Sequence, residues 1–96
     1  MRRAARIDRN QPEIVKALRQ CGAHVTSLAA VGDGVPDLLV GFRGMTVLVE
    51  VKDGSRPPSE RQLTDQQIEW HAAWPGGRCV VVGSVPEALA AIGVMA

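Results

Sequence analysis

The run Val-Pro-Asp-Leu-Leu-Val-Gly-Phe-Arg-Gly-Met-Thr-Val-Leu-Val-Glu-Val-Lys at residues 35–52 leaves little choice of local fold. Two stretches of strand length, residues 37–42 and 45–51, flank Arg43-Gly44, which has the length and the glycine of a tight hairpin loop. The spacing predicts an antiparallel hairpin. Side chains alternate across a strand, so Val47, Val49 and Val51 share one face while Leu48, Glu50 and Lys52 share the other. Pro36 lacks a backbone donor and pushes Val35 out of the helical region, which suits the first position of a strand and places Asp37 just inside it. An acid opens one strand, and an acid and an amine close its neighbour.

That arrangement has the parts needed for metal-assisted attack on a phosphodiester. The substrate is anionic and repels hydroxide, so a hard cation held by oxygen ligands is needed to offset charge and activate water. Asp37 and Glu50 are the candidate ligands. The Lys52 ammonium can orient the nucleophile or stabilise charge building on phosphorus. Taken by themselves, these residues also fit a solvated edge strand in which Glu and Lys alternate, and that reading stays open at this level.

The rest of the chain reads as a scaffold. Ninety-six residues suit one domain with a single modest core. No apolar run approaches the about 20 residues that span a bilayer, and the arginine-rich start is not followed by an apolar signal segment. The expectation is a soluble cytoplasmic protein without a membrane partner. Cys21 and Cys79 are the two cysteines, each in apolar company, which predicts buried free thiols rather than a disulfide. The two do not combine with His24 and His71 in zinc-ligand spacing. The formal net charge is only +1, yet basicity is uneven. Arg2, Arg3, Arg6 and Arg9 define a basic arm over residues 1–9, and Arg56 and Arg61 flank Pro57-Pro58. Arg9, Arg56 and Arg61 are candidate phosphate contacts of modest, salt-sensitive strength, and a solvated basic tail is the plain alternative for residues 1–9.

In chain order, Asn10 and Glu13 have the spacing of a capping box. Ile14, Ala17, Leu18 and Cys21 follow as an apolar stripe, and Gly22 stops the helix. Residues 24–31 read as a first strand, with His24 at its edge, and Val31-Gly32-Asp33-Gly34 reads as a turn into the hairpin. Asp33 is a turn former close enough in sequence to Asp37 to support it. Residues 53–62 form a polar loop leaving the end of the hairpin. Thr64 and Gln67 make a second capping box, stapled by Leu63 and Ile68, for a helix reaching about Trp74. Trp70 and Trp74 at i and i+4 should pack together, in the core or across a subunit interface, with His71 between them as a packing residue. Residues 78–83 are a continuous apolar run, the pattern of a strand buried on both faces. Ser84 and Glu87 cap a last helix whose stripe is Ala88, Leu89 and Ile92.

The ordered set Gly-Val-Pro-Asp-Leu-Leu-Val, Val-Leu-Val-Glu-Val-Lys-Asp-Gly and Leu-Thr-Asp-Gln-Gln-Ile-Glu-Trp-His resembles the virus-type replication-repair nuclease (VRR-NUC) domain, a branch of the PD-(D/E)XK nuclease superfamily. The likeness runs from about Asn10 to Gly93, so residues 10–96 are expected to form the nuclease domain. It implies a single α/β domain with a restriction-endonuclease-like α-β-β-β-α-β core and a C-terminal helix. It implies a nuclease dependent on Mg2+ or Mn2+, held by Asp37, Glu50 and the Val51 carbonyl, with Glu13 as an additional acid, Lys52 beside the nucleophile and Gln67 in support. Small stand-alone domains of this kind resemble phage nucleases that cut branched DNA, including four-way (Holliday) junctions, as two-fold homodimers. That implies residence in the phage or bacterial host cytosol. A flap- or end-directed nuclease and a non-catalytic DNA-binding subunit of the same fold are the alternatives.

Overall fold

The structure, a computed structural model, describes residues 7–94. Arg2, Arg3 and Arg6 of the expected basic arm lie outside the described residues. The chain forms helix α1 (Gln11–Gln20), strands β1 (His24–Ser27), β2 (Leu38–Phe42) and β3 (Met45–Val51), helix α2 (Asp65–Ala73), strand β4 (Arg78–Val82) and helix α3 (Val85–Ala91). The strands form one sheet in the order β1-β2-β3-β4. The first two pairings are antiparallel and β3 with β4 is parallel, the chain crossing over through α2.

The hairpin forms as its spacing requires. Leu38 pairs with Val49 and Phe42 with Met45, around a loop in which Arg43 (φ 48°) and Gly44 (φ 80°) both take left-handed backbone. Two consecutive positive φ values give a turn whose twist matches the strands it joins. The alternation then sorts the two faces. Val40, Val47, Leu38, Val49, Val51 and Val82 are buried on one side with Ile14 and Leu18 of α1 and Ala88, Ala91 and Ile92 beside α3. Ile14 and Leu18 are fully buried, each contributing about 2 kcal/mol by removal from water.

Several expectations are corrected. The first strand ends at Ser27 rather than residue 31, because Leu28 N–H turns to the Asp37 carbonyl and Ser27 Oγ accepts from Ala29 N–H. Strand β2 begins at Leu38, leaving Asp37 immediately before the ladder. Residues 78–82 are not buried on both faces: β4 is an edge strand and Val81 is 46% exposed. Both cysteines are free as expected, but half-buried rather than in the core. Asn10 occupies the cap position of α1 without capping it; its amide reaches 3.1 Å to the carbonyls of Lys52 and Gly83 instead. The Thr64–Gln67 box is complete. In α3, Ser84 Oγ accepts from Glu87 N–H, while the Glu87 carboxylate turns to Gly83 N–H at 2.6 Å. Trp70 and Trp74 stack at 5.0 Å, but Trp74 and Ile68 are 40% and 52% exposed, so neither a core position nor a full staple is achieved.

One glycine sets where α2 lies. Gly34 has φ +83°, and a Cβ there would come within 2.8 Å of the Gln66 carbonyl carbon and 3.2 Å of Gln67 N. Gly34→Ala is therefore expected to destabilise the fold by about 2 kcal/mol or more, from left-handed strain and a clash with backbone that cannot rotate away. Urea unfolding of the variant beside the wild type checks this.

Candidate active site

The polar face of the hairpin carries a compact charged group. Asp37 leaves the loop just before β2, and its Oδ2 accepts from Val51 N–H at 2.7 Å, so the carboxylate is held against the neighbouring strand. Glu50 is buried to 2% exposure within β3. Its Oε1 receives no donor from the described residues, whereas Oε2 accepts from Gln67 Nε2 at 3.2 Å and stands 3.8 Å from Lys52 Nζ. Lys52 in turn donates to Gln67 Oε1 at 2.9 Å. The same Gln67 oxygen accepts from Thr64 N–H at 2.9 Å, so the capping box of α2 and the charged group share one side chain.

This economy has a cost in proton affinity. Burial, then a hydrogen bond with Asp37, then the Asp37 charge raise the Glu50 carboxyl to about 8, against the opposing pull of Lys52. A second carboxyl group close by makes ionisation of Glu50 costly, so Glu50 holds its proton more tightly than a carboxyl in water. The donor set, two hard oxygens with a buried unpartnered lone pair, is what a divalent oxygen-seeking cation takes in place of that proton. Among the described residues no three His, Cys, Asp or Glu side chains converge on a single point, so a cation bound here would take its remaining ligands from backbone and water. The Val51 carbonyl lies on the strand between Glu50 and Lys52.

The sequence matches no protein-family model and no curated protein. Its structure is similar to a solved structure titled "VRR_NUC domain", with a TM-score of 0.60 and 30% sequence identity. The likeness covers 82% of this chain and 89% of that one. The chain belongs to the VRR-NUC family. It is a nuclease domain built on the restriction-endonuclease-like α/β fold, and the motif set that suggested the family coincides with the charged group just described.

Within the VRR-NUC domain, the side chains of Asp37, Glu50, Lys52 and Gln67 lie together at the ends of β2 and β3 and the start of α2. Glu13 does not join them. It is exposed on α1 and lines a separate cleft of about 570 Å³ with Arg9, Asn10, Arg61 and Glu87. Arg9 and Arg61 therefore share a wall, while Arg56 turns away to Glu60 (3.2 Å) and Asp53 (3.8 Å). Asp33 sits in a positive-φ turn beside Gln66, Glu69 and Trp70 of α2. His24 is exposed on the edge strand β1.

Two residues near the site had been given no part in it. His71 follows Gln67 by one helical turn and packs on Cys79, Nδ1 to Sγ 3.7 Å, with Nε2 buried and unpartnered. Burial and the Lys52 charge hold it below the usual imidazole range, against the pull of Asp37, which favours the neutral ring. The one-turn spacing from Gln67 was the available signal. Asp8 precedes α1, half-buried, in the electrostatic field of Lys52, Asp37 and Asp53. Its signal was compositional: it is the one acid in the arginine-rich stretch 1–9.

Gln67 connects fold to site. Gln67→Ala removes one arm of the capping box and leaves Lys52 and Glu50 each short of a partner. We expect a loss of about 2 kcal/mol in urea unfolding together with about tenfold lower nuclease turnover.

Proposed function

We propose that this VRR-NUC domain is a divalent-metal-dependent DNA endonuclease, with Mg2+ or Mn2+ as cofactor. The observation that carries this is the Asp37–Glu50 pair, held by Val51 N–H on one side and Gln67 on the other, with Glu50 Oε1 buried and lacking a donor. Asp37, Glu50 and the Val51 carbonyl would hold the cation. When bound, it supplies Lewis-acid activation of water and offsets charge on the phosphate. Lys52 holds the nucleophile in line through its ammonium, which Gln67 keeps in a fixed direction at 2.9 Å. Arg9 and Arg61, on the wall of the adjoining cleft, are placed to take a DNA phosphate; Arg56, already paired, contributes less.

The preferred substrate is branched DNA, such as a four-way junction, cut by a homodimer. Support for a second copy comes from apolar surface on the site's own side of the sheet. Leu39 (38%) and Val81 (46%) are exposed on strands beside Leu48 and Glu50, and Ile68 and Trp74 are exposed on α2. A two-fold pair sets two sites symmetrically, as paired nicks across a junction require.

The test is cleavage of an end-labelled four-way junction beside a linear duplex of the same arms, in Mn2+ and in chelator, with light scattering for the oligomer. Paired symmetric nicks in the junction alone, abolished by chelator, with a dimeric mass, are the expected result. Equal cutting of both DNAs removes the junction preference. Cutting confined to ends or flaps favours the alternative geometry. Junction binding without cutting in either metal leaves a DNA-binding subunit.

A further inference from the structure

We propose that Glu60 is an autoinhibitory contact: in the DNA-free protein its carboxylate occupies the Arg56 guanidinium, and a DNA phosphate must displace it before Arg56 can grip the strand. This rests on the DNA-cleaving reading above and concerns the loop that leaves β3 directly after Lys52. Arg56 Nη1 donates to Glu60 Oε1 at 3.2 Å, and Arg56 Nε stands 3.8 Å from Asp53 Oδ2. Among the described residues Arg56 is the one arginine with a carboxylate within ion-pair distance. Arg9 and Arg61, on the wall of the neighbouring cleft, have no such partner there. The three candidate phosphate contacts therefore differ in readiness, not in charge.

The loop is built to hold this pair. The Asp53 carbonyl accepts from Arg56 N–H at 3.1 Å, while Asp53 Oδ1 accepts from Ser55 N–H at 3.0 Å and from the Ser55 hydroxyl at 2.6 Å, which turns the chain back over residues 53–56. The Pro57 carbonyl accepts from Glu60 N–H at 2.9 Å in a single helical turn, Pro58–Glu60, and this brings Glu60 round to Arg56. Arg61 Nε then donates to the Arg56 carbonyl at 2.8 Å, tying the far end of the loop to its start. Gly54 N–H anchors that start to the end of β4 through the Gly83 carbonyl at 3.0 Å. Backbone turns preset the pair, so it does not depend on two free side chains meeting.

Its strength suits a contact made to be exchanged. The side chains of Arg56 and Glu60 are 54% and 52% exposed, so solvent screens the pair and an incoming anion can displace it. A phosphate offers the guanidinium a fork of two oxygens, where Glu60 gives it one at hydrogen-bond distance. Asp8, Asp53 and Glu60 line one cleft of about 330 Å³ with Arg56, so a DNA backbone that fails to engage Arg56 meets three acids there. Glu60 weakens DNA binding by a small factor, and that factor exists only while Arg56 is present.

The experiment is a double-mutant cycle in DNA binding: wild type, Arg56→Gln, Glu60→Gln and the double variant, with an end-labelled four-way junction and its linear duplex read by fluorescence anisotropy. Ca2+ replaces Mn2+, and the salt concentrations are about 50 mM and about 200 mM. We expect Glu60→Gln to bind about threefold more tightly than wild type at the lower salt, with the gain shrinking at the higher. The double variant should bind like Arg56→Gln alone, so that the gain requires Arg56. An equal gain in both backgrounds makes Glu60 a diffuse repulsive charge and overturns the proposal. So does the absence of any gain in Glu60→Gln. Either result leaves the DNA-cleaving reading standing, whereas wild type that binds neither DNA at either salt overturns both.

Discussion

Glu50→Gln is expected to abolish DNA cleavage, by about a thousandfold or more, while making the metal-free protein more stable at alkaline pH. The two effects have one origin. Glu50 is 2% exposed and its carboxyl is held up at about 8, from 4.5 in an unfolded chain. A group whose folded proton affinity is raised stabilises the fold fully below its unfolded value, and that stability is lost as pH rises through the folded value. Metal-free wild type should therefore weaken between about pH 4.5 and pH 8 and level off above, by on the order of 3 kcal/mol. The amide cannot ionise, so the variant lacks this slope; the curves should lie close at pH 4 and separate by pH 9. Urea unfolding across pH in chelator measures it. With Mn2+ present, wild type should recover stability at high pH because a bound cation would take the place of the Glu50 proton, and the variant should not. A variant that still cuts DNA, or a wild-type curve without the slope, would contradict this account of the pair.

Lys52→Ala is expected to separate catalysis from metal binding. Lys52 is an ammonium 2.9 Å from Gln67 Oε1 and 3.8 Å from Glu50 Oε2, with its side chain 15% exposed. It is the charge that opposes the rise in Glu50 proton affinity. Removing it leaves Asp37 and Glu50 in place and makes their surroundings more negative, so Mn2+ affinity should hold or improve slightly. Turnover on a cleaved DNA should fall about a hundredfold or more, through loss of the group that orients the nucleophile and meets charge on phosphorus. Metal-free stability should drop by about 1 to 2 kcal/mol, because Glu50 loses the one cationic neighbour it has within ion-pair distance among the described residues. Metal affinity lost in parallel with turnover would make Lys52 a structural support for the carboxylates rather than a participant.

The pairing of these variants matters because both residues lie on the same face of one strand end. In the proposed mechanism Glu50 meets the cation and Lys52 the substrate. Gln67 touches both, so its removal should blur the distinction that the single changes draw.

Much of this was legible in the chain because its determinants are local. Period-two alternation, the two-residue Arg43-Gly44 loop and Pro36 were enough to define the hairpin, the buried valine face and the shared face of Glu50 and Lys52. The Thr64–Gln67 box was equally readable, since cap and partner lie within one turn. Tertiary structure decided what depends on distant chain. Asn10 leaves its cap because the free carbonyls of Lys52 and Gly83 are better partners than its own helix end. Val81 is exposed because β4 takes the sheet's edge, which an apolar run cannot reveal. Glu13 and Asp8 lie close in sequence, yet the fold sets one on an outer cleft and the other in the field of Lys52 and Asp37. Helical phase and a single long-range clamp at Asn10 separate them, and neither is written in the spacing of the acids themselves.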